Sequence, residues 1–198
     1  MSLILSKMDE STHLSEVSEE SSSPNGNNEE LTQGVGPKVV SRCQWGALEP
    51  VSRERLQGPA QRAIIHHTAL WPCRSAQDCI AQLRHAQKLH MHHRDFYDIG
   101  YNFLIGGDGT VYEGRGWGIV GAHAKGNNSD SLGIAFMGNF NDERPSPAAL
   151  ASTRQLLQCG VRLGYLHPAY ALQGHRDVAK TECPGDALYE ALWLLAQH

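Results

Sequence analysis

The run Gly174-His175-Arg176-Asp177-Val178-Ala179-Lys180-Thr181-Glu182-Cys183-Pro184-Gly185 sets an imidazole and a thiol eight positions apart. Histidine nitrogen and cysteine sulfur are both good zinc donors. Pro184 and Gly185 break regular structure directly after the cysteine, so the segment reads as a shaped loop that can aim both groups at one point. Far upstream, Ile64-Ile65-His66-His67-Thr68 closes an apolar run with two more imidazoles. Neighbouring residues on a strand face opposite ways, so one of His66 and His67 joins such a site while the other lines a surface or packs. Two histidines and one cysteine leave a fourth position open, which separates a catalytic zinc site from a closed structural one. The chemistry this implies is hydrolysis by a metal-activated water.

These donors need elements to hold them. Ala63-Ile64-Ile65-His66-His67 is β-branched and apolar and predicts a buried strand. Ser75 to about His93 predicts a helix with Cys79, Ile80, Leu83, Ala86 and His90 on one face and Ser75 as N-cap, with Asp78 three residues on. Tyr101–Ile105 and Thr110–Tyr112 flank Gly106-Gly107-Asp108-Gly109, a strand-turn-strand signal. Ser131–Met137 predicts a further strand. Pro147–Gly164 predicts a helix with Leu150, Leu156, Leu157 and Val161 inward, and Gly164 as its stop. Ala171-Leu172-Gln173 is a short strand feeding the loop, and Asp186–Ala196 a closing helix. The expected fold class is α/β: a central mixed sheet packed by about three helices, with binding residues at strand ends and in loops.

Composition bounds the rest. The chain has 198 residues, 40% hydrophobic and 19% charged, enough for one domain and a tail. The formal charge of -4 is unevenly spread. Residues 1–33 carry seven acids against Lys7, leaving the remainder slightly positive before any histidine protonates. Residues 1–36, rich in Ser, Glu, Asn and Gly, read as a disordered acidic tail, and 37–198 as one folded domain. Nothing is basic enough to suggest nucleic acid as the main partner. No stretch approaches the ~18 apolar residues of a membrane span, and the start, Met1-Ser2-Leu3-Ile4-Leu5-Ser6-Lys7, is too briefly apolar for a visible signal peptide. Against that stand five cysteines, Cys43, Cys73, Cys79, Cys159 and Cys183. Cys73 and Cys79 are close enough to close a small loop, and five reduced thiols in a cytoplasmic protein are the alternative.

Ile64-Ile65-His66-His67-Thr68-Ala69, Asp98-Ile99-Gly100-Tyr101-Asn102-Phe103-Leu104-Ile105, Val111-Tyr112-Glu113-Gly114-Arg115-Gly116-Trp117 and Gly174-His175-Arg176-Asp177-Val178 follow one another in that order. Together they resemble the peptidoglycan recognition proteins, relatives of the type 2 N-acetylmuramoyl-L-alanine amidases, over about Val39 to His198. The resemblance implies the zinc-amidase fold, with His66, His175 and Cys183 holding Zn2+. It implies Tyr101 as the catalytic tyrosine donating to an oxyanion and Thr181 as a secondary catalytic-site residue. It places His67, Thr68, His90, Arg94, Phe96, Tyr101, His123 and Asn128 along a groove for muramyl peptides; by residue type, Trp71 and Trp117 are candidate apolar walls and the Arg94 guanidinium suits a stem-peptide carboxylate. It pairs Cys73 with Cys79 and Cys43 with Cys159. Within the family, members that cut carry cysteine at the position of Cys183, whereas members that only bind have lost it. A thiolate holds zinc where a neutral serine hydroxyl holds it poorly.

The function implied is zinc-dependent hydrolysis of the lactyl–L-alanine amide of bacterial peptidoglycan, in innate immunity, by a monomer. The rivals are a pattern-recognition protein that binds peptidoglycan without cutting it, and a cytoplasmic protein using zinc structurally. The resemblance and the cysteine pairs favour an extracellular, secreted protein. Asp95-Phe96 matches neither of the usual pairs preceding Tyr97-Asp98, Gly-Trp in binders of diaminopimelate-type peptidoglycan and Asn-Phe in lysine-type binders, so the stem-peptide preference is not fixed by the sequence.

Overall fold

The computed structural model describes residues 36–196. The expected tail falls outside these apart from Gly36. Six strands form one mixed sheet in the order β1-β4-β3-β5-β2-β6. They are β1 (Val39–Val40), β2 (Ala60–His67), β3 (Phe103–Ile105), β4 (Val111–Glu113), β5 (Ser131–Phe136) and β6 (Leu166–Gly174). The helices are α1 (Arg42–Trp45), α2 (Ala76–His93), α3 (Pro147–Arg162) and α4 (Asp186–Ala191), the last running into a 3-10 turn at Leu192–Leu194.

The central strands β3, β5, β2 and β6 run parallel, while β3 and β4 form the antiparallel hairpin expected around Gly106–Gly109. β5 is buried throughout, and β2 from Ala63 to His67, as continuous apolar runs in a sheet covered on both faces should be. β6 is longer than the three residues predicted, because its pairing with β2 continues through mixed, partly exposed residues that carry no periodic signal. The closing helix is shorter than predicted, ending after Ala191 in the 3-10 turn. β1 and α1 are too short for any periodicity to announce them.

Two cores sandwich the sheet. On one face α3 packs Ala149, Leu156 and Leu157 against Ala63, Ile65, Phe103, Ile134 and Phe136. On the other, α2 packs Cys79, Leu83 and Ala86 against Trp45, Leu104, Tyr112 and Ala135. Ser75 caps α2, its Oγ accepting the Asp78 N–H at 3.2 Å. Ser146 caps α3 in the same way, followed by Pro147 at the first helical position. Gly164, at φ 76°, supplies the left-handed residue after α3.

Cys73 and Cys79 are bonded, tying the chain before α2 to its first turn. The expected bridge between Cys43 and Cys159 is not formed. Cys43 lies exposed on α1, whose Trp45 belongs to the α2-side core. Cys159 lies on α3, its Sγ toward Gly36, which has no side chain to bond.

Candidate metal centre

The parallel strands end along one edge of the sheet, where open α/β sheets usually place their ligands. There β2 ends in His66 and His67, and β6 ends in Gly174, passing directly to His175 in a 3-10 turn, His175–Asp177. The loop after it is pinned at several points. The Gly174 N–H donates to Asp177 Oδ2 at 2.8 Å, and the Tyr189 hydroxyl to Asp177 Oδ1 at 2.6 Å. The Arg176 N–H donates to the Cys183 carbonyl at 2.9 Å, and its guanidinium reaches Asp186 at 2.6 Å. The Cys183 N–H donates to Thr181 Oγ1 at 3.2 Å. A loop without regular structure thereby returns Cys183 beside His175.

His66, His175 and Cys183 each offer a donor atom, all within 4.8 Å of one another, and form the one such group among the described residues. Cys183 Sγ lies 3.7 Å from His66 Nδ1. A tetrahedral zinc with bonds of about 2.0–2.3 Å sets its donors roughly 3.3–3.8 Å apart, the spacing of Cys183 Sγ and His66 Nδ1, and His175 lies close enough to complete a donor set of two imidazoles and a thiol that suits that ion. His66 and His67 divide as strand alternation requires. His66 is buried among Tyr101, His123 and His175, while His67 turns away, its Nδ1 accepting the Phe140 N–H at 3.2 Å. The His67 backbone N–H lies 3.4 Å from Cys183 Sγ, a donor suited to a thiolate.

A groove of about 420 Å³ opens over these groups, lined by His66, His67, Thr68, His90, Arg94, Tyr101, His123, His175, Thr181 and Cys183. Phe96, expected in the groove, is not among its lining residues; its ring lies tilted against His90 at 5.5 Å between centroids. Two further expected groove residues are also placed outside its lining. Trp117 packs between Phe103, at 4.5 Å, and Tyr165, at 5.6 Å, in the α3-side core, because its indole fills the space left by Gly160 of α3. Asn128 turns its Oδ1 inward to accept the His123 and Ala124 N–H groups, each at 2.9 Å, and so shapes the loop rather than the groove wall. Thr68 lines the groove but uses its hydroxyl on Gln82 Oε1 and the Gly138 N–H.

Burial sets the protonation states. It drives His66 well below the usual histidine range, assisted by His123 and His175, and it lowers His175 too. It takes His123 to about 3 and His90 to about 4. All are neutral rings at pH 7. The Gly100 N–H donates to His90 Nδ1 at 2.9 Å, so the proton of that ring sits on Nε2. Burial raises Tyr101 above the ordinary phenol range, with Cys183 adding to the shift, so its hydroxyl keeps its proton. Burial likewise pushes the Cys183 thiol up to about 11, opposed by the His67 N–H and Arg176. Metal binding there must therefore displace a proton.

The family profile described as N-acetylmuramoyl-L-alanine amidase matches residues 56–186, spanning every residue of this site. Peptidoglycan-recognition protein SC2 of Drosophila simulans is 44% identical over 158 residues, covering 80% of this chain and 86% of that protein. The chain belongs to the peptidoglycan recognition protein family. Human N-acetylmuramoyl-L-alanine amidase is 45% identical over 160 residues, 79% of this chain but 28% of that longer protein. Among solved structures, a variant of Drosophila PGRP-LB in complex with tracheal cytotoxin superposes with a TM-score of 0.76 at 44% identity, covering 78% of this chain and 92% of that one. As a peptidoglycan recognition protein, the chain has the expected α/β fold, a mixed sheet between helices.

Sequence reasoning missed Ser131, Asn127 and the Phe140 N–H, all of which bond to site histidines or to the residues holding them. A serine opening a strand and a backbone amide in a loop give no signal by type or spacing.

Proposed function

We propose that this chain is a zinc-dependent N-acetylmuramoyl-L-alanine amidase that binds bacterial peptidoglycan and cleaves the amide between the lactyl group of N-acetylmuramic acid and L-alanine. The observation that carries this reading is Cys183 Sγ converging with His66 and His175 on one point at the floor of the groove. A serine there would offer no ionisable donor. When bound, zinc supplies acidified water and a polarised scissile carbonyl.

The chain's own groups do the rest. Tyr101, held protonated by burial, donates a hydrogen bond to the oxygen that gains charge as the carbonyl becomes tetrahedral. His90, neutral with its proton on Nε2, donates into the same groove. Arg94, exposed at the end of α2, receives a stem-peptide carboxylate. Thr181 keeps Cys183 in place through the N–H it accepts. The Cys73–Cys79 bridge supports action in an oxidising compartment, as an extracellular protein of innate immunity.

The second reading, a recognition protein that binds without cutting, draws support from relatives named for recognition. Digestion of lysine-type and diaminopimelate-type peptidoglycan by wild type, Cys183→Ser and chelator-treated protein separates the two. The amidase releases free stem peptides only as untreated wild type. Release that survives the substitution or the chelator sinks the zinc mechanism, and binding without release by wild type establishes the reader.

A further inference from the structure

His123 lies at the back of the groove, and neither of its ring nitrogens is free to meet a substrate. Its Nδ1 is 3.0 Å from His66 Nε2, and its Nε2 is 3.4 Å from Ser131 Oγ. Ser131 Oγ in turn contacts the Asn127 carbonyl. The direction of this chain of bonds follows from its last member. A carbonyl only accepts, so the Ser131 hydroxyl must donate to it. The serine oxygen then accepts from His123 Nε2–H, and a neutral His123 protonated on Nε2 has a bare Nδ1. That nitrogen accepts the His66 Nε2 proton, which leaves the lone pair of His66 Nδ1 facing Cys183 Sγ at 3.7 Å.

The fold makes room for this ring. A Cβ built on Gly133 of β5 would run into Cγ and Cδ2 of His123, and one on Gly121 would meet Cδ2. The Asn128 amide oxygen anchors the His123 backbone from the other side. Both glycines and the asparagine thus serve one ring position.

We propose that His123 is the positioning residue of the metal centre: it fixes His66 as the Nε2–H tautomer and its ring plane, so that Nδ1 is the atom presented to the metal. The proposal rests on reading His66, His175 and Cys183 as a zinc site, and it replaces the substrate-contact role that family resemblance implied for His123. Metal-bound histidines generally donate their second N–H to such a partner, and losing it typically costs 10–100-fold in metal affinity.

Two measurements on the full chain test it. Long-range proton–nitrogen correlation spectra of the metal-free wild type should show His66 and His123 both protonated on Nε2. A His66 ring protonated on Nδ1 overturns the proposal, and this readout needs no variant to fold. Zinc affinity by chelator competition should fall about 10–100-fold in His123→Ala. It should recover in His123→Asn, whose amide oxygen can stand where Nδ1 was. Unchanged zinc affinity in folded His123→Ala, with weakened muramyl-peptide binding, overturns the positioning role in favour of substrate contact. Failure of the wild type to bind zinc at all is a different result and sinks the metal centre itself.

Discussion

The α3-side core and the groove at the strand ends are built by the same strands and held by different physics. Toward α3, Ala63, Ile65, Phe103, Ile134 and Phe136 meet Leu156 and Leu157, a contact made of shape and apolar area. Toward the groove, β2 presents His66 one residue after Ile65, and the neighbours become the rings of Tyr101, His123 and His175, with His66 hydrogen-bonded to His123 between neutral rings. The first region can be perturbed in degree. The second works only with particular atoms in particular protonation states, because a buried imidazole left without its partner carries the full desolvation cost. Stability and chemistry are therefore separable by region.

Substitutions can break that separation or sharpen it. Tyr101→Phe removes one hydroxyl at the groove and is expected to lower kcat by about 10²–10³-fold. Zinc affinity and thermal stability should stay near wild type; a fall in kcat below ten-fold, measured on muramyl peptide, removes Tyr101 from the chemistry. Leu156→Ala acts from the other region, destabilising by roughly 2–5 kcal/mol in denaturant melts. Its kcat per folded molecule should be unchanged. A catalytic defect at full folding would show that the regions are coupled.

Acid should act through the groove histidines. His66, His123 and His90 are all held neutral below their ordinary value of 6.5. Between about pH 6.5 and 4 the unfolded chain binds protons that the metal-free fold refuses. Stability therefore falls as pH falls, by up to about 1.4 kcal/mol per pH unit for each such histidine. Leu156→Ala should lower this curve without altering its slope, whereas a variant of His90 should flatten it. Trp117→Phe is the smallest test, costing about 1 kcal/mol or somewhat more as a trimmed core aromatic. Muramyl-peptide affinity should not move; a loss would return Trp117 to the groove.

The α3 face was largely legible in the sequence, because burial writes itself as periodicity. Leu150, Leu156 and Leu157 recur at helical spacing, and Ala63–Ile65 as an unbroken apolar run. The donor set was legible for another reason, since histidine and cysteine at loop and strand ends are rare enough to stand out. What connects the donors was not. Ser131, Asn127 and Gly133 act through a hydroxyl, a carbonyl and a missing Cβ, which no pattern of residue types encodes. Trp117 misled because an indole suits a carbohydrate groove and a hydrophobic core equally well. The Cys43–Cys159 pairing failed because nothing in the spacing says that α1 turns toward α2 while Cys159 faces Gly36.

The most direct test of the metal centre is reconstitution. Protein stripped by chelator, given a defined muramyl peptide, should release no product. One equivalent of zinc should restore cleavage, yielding a free lactyl carboxylate and a free L-alanine amine by mass spectrometry. Cleavage by the stripped protein, or zinc-saturated protein that binds the peptide and leaves it intact, would contradict the account.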